Sequence, residues 1–274
     1  EQWETLNGKL KAYMRACTTA KVDLEENCFF NIVPEAFLLQ YCEVRNSITK
    51  YIIENREKPA NYDFPLSLIK LLAKIKEQQL NLDLAPLSKL AALPRARILY
   101  KRLLKKSKHY IEYDPFKSKT GRLTTTKTSF PILTLDKNYR TILKPHNDFF
   151  VELDFNAAEL RTLLALSGKK QPEIDIHDWN VKNVYRNGIT REAAKKRIFA
   201  WLYNPNSKDF LSSREYDREE VLKKYYNDGK ITTEYGRKIS TDDHHALNYV
   251  IQSTTSDLFL KRAVAVDKIL CDRK

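Results

Sequence analysis

Phe149-Phe150-Val151-Glu152-Leu153-Asp154-Phe155-Asn156-Ala157-Ala158-Glu159-Leu160-Arg161 is the stretch on which the fold turns. The dense apolar and aromatic residues of 149–155 predict a β-strand, and the run 157–167 that follows predicts a helix. A strand feeding a helix calls for a sheet as well as helices. Asp154 then lies at the mouth of that sheet, and Glu159 arrives five residues later in the first helical turn, so the two acids can share one cavity. A hard cation such as Mg²⁺ commonly takes one or two carboxylates plus substrate phosphates. The spacing also has a plainer explanation, an acid favoured by the dipole near a helix N-terminus.

Downstream, Arg191, Lys195, Phe199 and Tyr203 recur at every fourth residue. On an α-helix a step of four advances roughly 40° around the axis and about 6 Å along it. Two cations and then two rings therefore form one slanting stripe, able to hold a triphosphate and then a base. Thr190 offers an N-cap and Asn204-Pro205 a stop. Ala194, Ile198, Trp201 and Leu202 fall on a neighbouring face suited to a core. By itself the stripe is equally the pattern of a solvated basic face with core aromatics.

With 274 residues the chain can bury a substantial core, as one large domain or two smaller ones. At 42% hydrophobic and 30% charged it reads as a soluble globular protein. No stretch reaches the roughly 18 apolar residues of a membrane span, so no membrane partner is expected. Glu1-Gln2-Trp3-Glu4 has neither the basic start nor the apolar run of a signal peptide, which sets the expectation of a cytoplasmic protein. Cys17, Cys28, Cys42 and Cys271 lack Cys-x-x-Cys spacing, and buried thiols are expected in place of a zinc site or disulfides. A net charge of +13 points to a polyanionic partner, of which nucleic acid is the commonest.

Residues 1–110 read as mostly helical, with apolar residues at helical spacing over 6–16, 34–54, 65–80 and 94–106 and a loop at 55–61. The basic run 101–108 suits a solvated helix end or a phosphate-tracking surface. From residue 109 the texture shortens. Residues 110–113 predict a strand, Asp114-Pro115 a break, and Lys119-Thr120-Gly121-Arg122 a turn. Asn227-Asp228-Gly229 and Tyr235-Gly236-Arg237-Lys238 predict a hairpin within 225–239, and 243–270 one long helix capped by Thr241. Asp242-Asp243-His244-His245 at its start is better explained by capping than by a metal.

The order of these segments resembles the DNA polymerase I family, or family A: Thr120-Gly121-Arg122-Leu123, then Leu153-Asp154-Phe155 through Arg161, then Asp175-Ile176-His177, then the stripe over about 190–204, then Asn248, Gln252 and Asp257. The likeness spans roughly residues 113–272 and is closest to phage-borne members. It implies an α+β right-hand architecture, with helical thumb and fingers around an incomplete antiparallel-sheet palm. The implied division is 1–110 thumb-like, 111–167 palm, 168–240 fingers and 241–274 a palm helix. Implied activity is template-directed DNA synthesis, the transfer of deoxynucleotides from dNTPs to a primer 3′-hydroxyl by a two-metal mechanism. Asp154 and the Phe155 carbonyl would bind Mg²⁺, and Lys195 would act in catalysis by offsetting developing charge. Arg191, Lys195 and His177 would grip phosphates, and Phe199 and Tyr203 would pack on sugar and base. Glu159 would exclude a ribose 2′-hydroxyl, while Arg122, Asn248 and Gln252 would line the primer-template minor groove.

Some positions depart from the family pattern: Asn204 stands where glycine is usual, His244 where arginine is, and Asn156-Ala157 where serine and glutamine are. The strand that brings the family's second metal-binding carboxylate has no counterpart in these 274 residues. The expectation is thus a chain truncated or split before that strand, with a second polypeptide as one source of the carboxylate. The alternatives are a catalytically inactive primer-template binding module and a single-subunit RNA polymerase. Glu159 and the Thr-Gly-Arg-Leu turn argue against the RNA polymerase.

Overall fold

A computed structural model describes residues 1–24, 27–59, 61–106, 108–186 and 188–272. The chain divides into two compact units, Glu1–Ala60 and Asn61–Lys274. In the first, α1 (Gln2–Thr19), α2 (Phe29–Ile32) and α3 (Glu35–Asn55) bury Leu6, Val33 and Phe37. Pro34 immediately precedes α3, where its missing N–H leaves no helical bond unmade.

The second unit begins with α4 (Asp63–Glu77), β1 (Asn81–Leu82), α5 (Ala85–Lys89) and α6 (Pro94–Leu103). Three short strands follow, β2 (Tyr113–Asp114), β3 (Thr124–Thr125) and β4 (Leu143–Lys144). Next come α7 (Ala158–Leu166), α8 (Ile176–Trp179) continued by a wider turn over Asn180–Tyr185, α9 (Arg191–Tyr203), α10 (Phe210–Glu215) and α11 (Arg218–Tyr225). The unit closes with β5 (Tyr226–Asn227), β6 (Lys230–Thr232), β7 (Lys238–Ser240) and α12 (Asp243–Cys271). All pairing is antiparallel: β1 with β4, β2 with β3, and β5-β6-β7 in order, with Ile231 opposite both Tyr226 and Ile239. The architecture is therefore mixed helix and antiparallel sheet.

Its largest core gathers Leu160, Leu163, Ile176, Ile198, Trp201, Val221, Ile231 and Val250 from α7 through α12. A smaller one joins α5 and α6 to the 130–142 segment through Leu87, Ala96, Leu103, Phe130 and Ile142. A third packs Leu68 and Leu72 of α4 on Leu260 and Val264 of α12. That last contact explains why the compact division falls at residue 60, although helical texture runs to 103: α4 finds its apolar partner on the C-terminal helix.

Four expectations require correction. Residues 149–155 are not a strand; among the described residues their backbone enters no hydrogen bond with other backbone, and Phe149, Val151 and Leu153 are 73%, 73% and 69% exposed. The pattern is right for a strand, but a strand needs a partner, and no described segment pairs its backbone with this one. The strand at 110–113 shrinks to its last residue in β2, with the Tyr110 and Glu112 carbonyls accepting isolated bonds from Phe130 and Thr126. Helix α12 is capped by Asp242, whose Oδ1 accepts from the His245 amide at 2.9 Å; the carboxylate one residue nearer the helix displaces Thr241. Cys17 is buried, whereas Cys28, Cys42 and Cys271 are exposed on outward faces or ends of helices. No helix among the described residues is long and apolar enough to cross a membrane.

Candidate functional site

Helix α9 forms as its local sequence dictates. The Thr190 hydroxyl accepts from the Ala193 amide at 3.3 Å, and Ala194, Ile198, Trp201 and Leu202 are buried. Burying that face turns the other stripe outward: Arg191 and Lys195 are exposed, and Phe199 and Tyr203 are half-buried. The two rings stack with centroids 5.9 Å apart and planes 12° apart. His177 in α8, only 3% exposed, sets its ring 5.9 Å from Phe199 and thereby extends the aromatic floor.

Glu159 in the first turn of α7 joins this floor to the turn carrying Arg122. Its Oε1 lies 2.5 Å from Arg122 Nη2, and its Oε2 accepts the Tyr203 hydroxyl. Burial, followed by that bond, pushes the Tyr203 phenol far above its ordinary pKa, so the hydroxyl remains a donor. Ala157, just before α7, adopts φ +47°, a left-handed conformation that turns the chain sharply into the helix.

On α12, Gln252 Oε1 accepts from Thr120 Oγ1 at 3.3 Å, tying the helix to the residue two before Arg122. The side-chain oxygen of Asn248, one turn earlier, is buried without a partner. The same is true of His177 Nδ1. Unsatisfied buried polar atoms in folded proteins call for an explanation, and two of the four among the described residues belong to this site. Burial lowers the His177 pKa, with the nearby Asp175 carboxylate opposing the shift and Arg191 and Lys195 adding to it. The imidazole is thus neutral at pH 7.

The phosphate end differs from expectation in one respect: Arg191 is already engaged. Its Nη2 and Nε lie 2.8 and 3.3 Å from the two Asp175 carboxylate oxygens, with Asp178 at 3.6 Å and Glu192 at 3.3 Å. Asp175 also caps α8 and accepts from Asn156 Nδ2 at 2.7 Å. These bonds, led by the Arg191 contact, hold its carboxyl well below the usual carboxylate range. Lys195 has no such partner among the described residues.

Asp154 is exposed at the end of the unpaired segment, and the Phe155 ring touches Phe259 edge-on at 6.5 Å. Among the described residues no three His, Cys, Asp or Glu side chains converge as metal ligands. Asp154 and the Phe155 carbonyl offer too few oxygens to hold two Mg²⁺ ions, so these residues do not by themselves fit a two-ion centre.

Several pairings in and around the site have no counterpart in the sequence analysis. Asn156 and Asp175 link the Asp154 segment to α9, and only the Asp-capped start of α8 gave any local sign of this. Arg237 makes a two-point pair with the buried Asp257 at 3.0 and 2.6 Å and lies directly over Gly121. Nothing in either sequence neighbourhood announces that pair. A scan of the chain against protein-family models finds no match, and neither does a search of curated proteins.

Proposed function

We propose that the chain carries the nucleotide-binding and primer-binding part of a DNA-directed DNA polymerase of the DNA polymerase I family, with a right-hand arrangement of thumb, palm and fingers. The reading rests on one observation. Residues from four separate stretches form a continuous line of contacts, Arg122 to Glu159 to Tyr203 to Phe199 to His177, with Lys195, unpaired among the described residues, on the face of α9 that carries Phe199 and Tyr203.

On this reading the base and deoxyribose of a dNTP stack on Phe199 and Tyr203, and its phosphates extend toward Lys195 and Arg191. The neutral His177 donates a hydrogen bond to a phosphate oxygen. Glu159, pinned from both sides, closes the space beneath the sugar and disfavours a 2′-hydroxyl. Gln252, Asn248 and Arg122 face the primer-template minor groove, whose acceptors are shared by all correct pairs. Mg²⁺ would supply charge compensation for nucleotidyl transfer, with Asp154 and the Phe155 carbonyl as this chain's ligands and a segment of a second polypeptide supplying the other carboxylate. The partners are dNTPs, primer-template DNA and that segment, in the cytoplasm.

Primer extension tests the assignment. In Mg²⁺ buffer, with such a segment supplied, the chain extends a primer with dNTPs and Asp154→Ala does not; extension that survives the substitution sinks the proposal. A second reading, a binding module without catalysis, is favoured by the unpaired backbone around Asp154. It predicts duplex binding with no incorporation under any supplementation.

A further inference from the structure

Arg191 and Lys195 are one turn apart on the same stripe, yet they are in opposite states. Lys195 is unpaired among the described residues, whereas Arg191 is held at two points by Asp175. That carboxylate is itself fixed: Oδ1 accepts the His177 and Asp178 amides at 2.9 and 3.0 Å, and Oδ2 accepts Asn156 Nδ2. Asn156 is held in turn by Arg161, whose Nε lies 3.1 Å from its carbonyl oxygen. The Asp175 and Arg191 side chains are 22% and 42% exposed, so an incoming anion can reach the pair.

We propose that Asp175 is a built-in rival for the phosphate tail, a latch on Arg191 that only a nucleotide with a triphosphate-length tail opens. The inference rests on the nucleotide-binding reading of α9. Distance along the helix makes it selective. Arg191 lies about 18 Å from Tyr203 and about 6 Å beyond Lys195. A monophosphate whose base stacks on Tyr203 and Phe199 reaches no further than Lys195. A triphosphate adds two phosphates in the direction of Arg191, and a multiply charged tail bridging both cations can displace a single carboxylate. Breaking the Asp175 contact also frees the head of α9 from Asn156, two residues after Asp154. Tail recognition is thereby coupled to the segment that bears the catalytic acid. Because the latched form binds less well, removing the rival raises apparent affinity for any ligand that needs Arg191.

The test compares dATP and dAMP binding by calorimetry for the unaltered chain, Asp175→Asn and Asn156→Ala. Asparagine retains an oxygen for the two capping amides while losing the charge. In Asp175→Asn, dATP binding tightens about two- to fivefold, the range for releasing one partly exposed charged pair, and dAMP binding is unchanged. Asn156→Ala loosens the latch without discharging it and gives a smaller gain in the same direction. Unchanged or weaker dATP binding in Asp175→Asn overturns the latch, because Asp175 then merely orients Arg191. An equal gain for dAMP overturns it too, by showing a general charge effect. Failure of both the unaltered chain and Asp175→Asn to bind dATP removes the nucleotide reading itself, and the latch with it.

Discussion

Gly121→Ala probes how the turn bearing Thr120 and Arg122 is held. Gly121 sits at φ +75°, a conformation that disfavours any Cβ by about 1–2 kcal/mol. An added Cβ would lie 2.7 Å from Arg237 Cζ, and nearer still to Nη2, so the guanidinium must move. The movement itself is easy for a long side chain. Its consequence is costly, since both bonds to Asp257 go, and the Asp257 side chain is only 5% exposed. Stranding that carboxylate costs roughly 2 kcal/mol, below the full figure for a buried pair because Arg237 remains 31% exposed. Gly121→Ala should therefore destabilise the protein by about 3–4 kcal/mol in urea unfolding. In an Asp257→Asn background only the backbone strain of about 1–2 kcal/mol remains, giving a coupling near 2 kcal/mol. Equal costs in the two backgrounds would refute the argument that the turn is braced through Arg237.

Ala157→Gly should stabilise the protein by roughly 0.5 kcal/mol, as relief of the left-handed strain outweighs glycine's greater freedom when unfolded; a lower urea midpoint would contradict this. His177 and His109 both have pKa values lowered in the fold, chiefly by burial, so the unfolded chain binds more protons below the ordinary pKa near 6.5. Stability must then fall as pH drops from 7 to 5, and His177→Gln should flatten part of that slope in urea midpoints measured across the range. Arg197 pairs with Asp209 at 2.6 and 2.9 Å while Asp209 also caps α10, so Asp209→Ala should cost about 2 kcal/mol by thermal or urea melting. Lys195→Ala should weaken dATP binding several-fold with little change in stability, because the ammonium has no partner among the described residues to lose.

Features of this chain that depend on neighbours in sequence were legible in advance. Helix α9 carries its own cap at Thr190, its own stop at Asn204-Pro205 and a self-declared apolar face, and it forms as read. Segment order assigned Arg122 to the minor groove and Glu159 and Tyr203 to the nucleotide but did not foresee that all three meet, since no local rule brings residues 37 and 44 positions apart onto one carboxylate. What escaped prediction depends on distant partners. Residues 149–155 have every local mark of a strand and lack only a partner among the described residues. Arg191 looked like a free cation because Asp175, sixteen positions away, comes within reach only once α8 packs beside α9. The division at residue 60 was hidden because α4's partner, α12, lies near the other end of the sequence.

The unpaired 149–155 segment also governs how the protein behaves in concentrated solution. Phe149, Phe150, Val151 and Leu153 present a sticky surface next to unbonded amides and carbonyls, a template for chain-to-chain pairing. Against this works the mutual repulsion of molecules that each carry +13. Repulsion of that kind reaches about 30 Å at 0.01 M salt and only about 3 Å at 1 M, while apolar adhesion is strengthened by excluded salts such as sulfate. Solubility should thus decline as ionic strength rises. The high-salt washes commonly used to strip nucleic acid from a basic protein would thus favour self-association of this one through its exposed apolar segment.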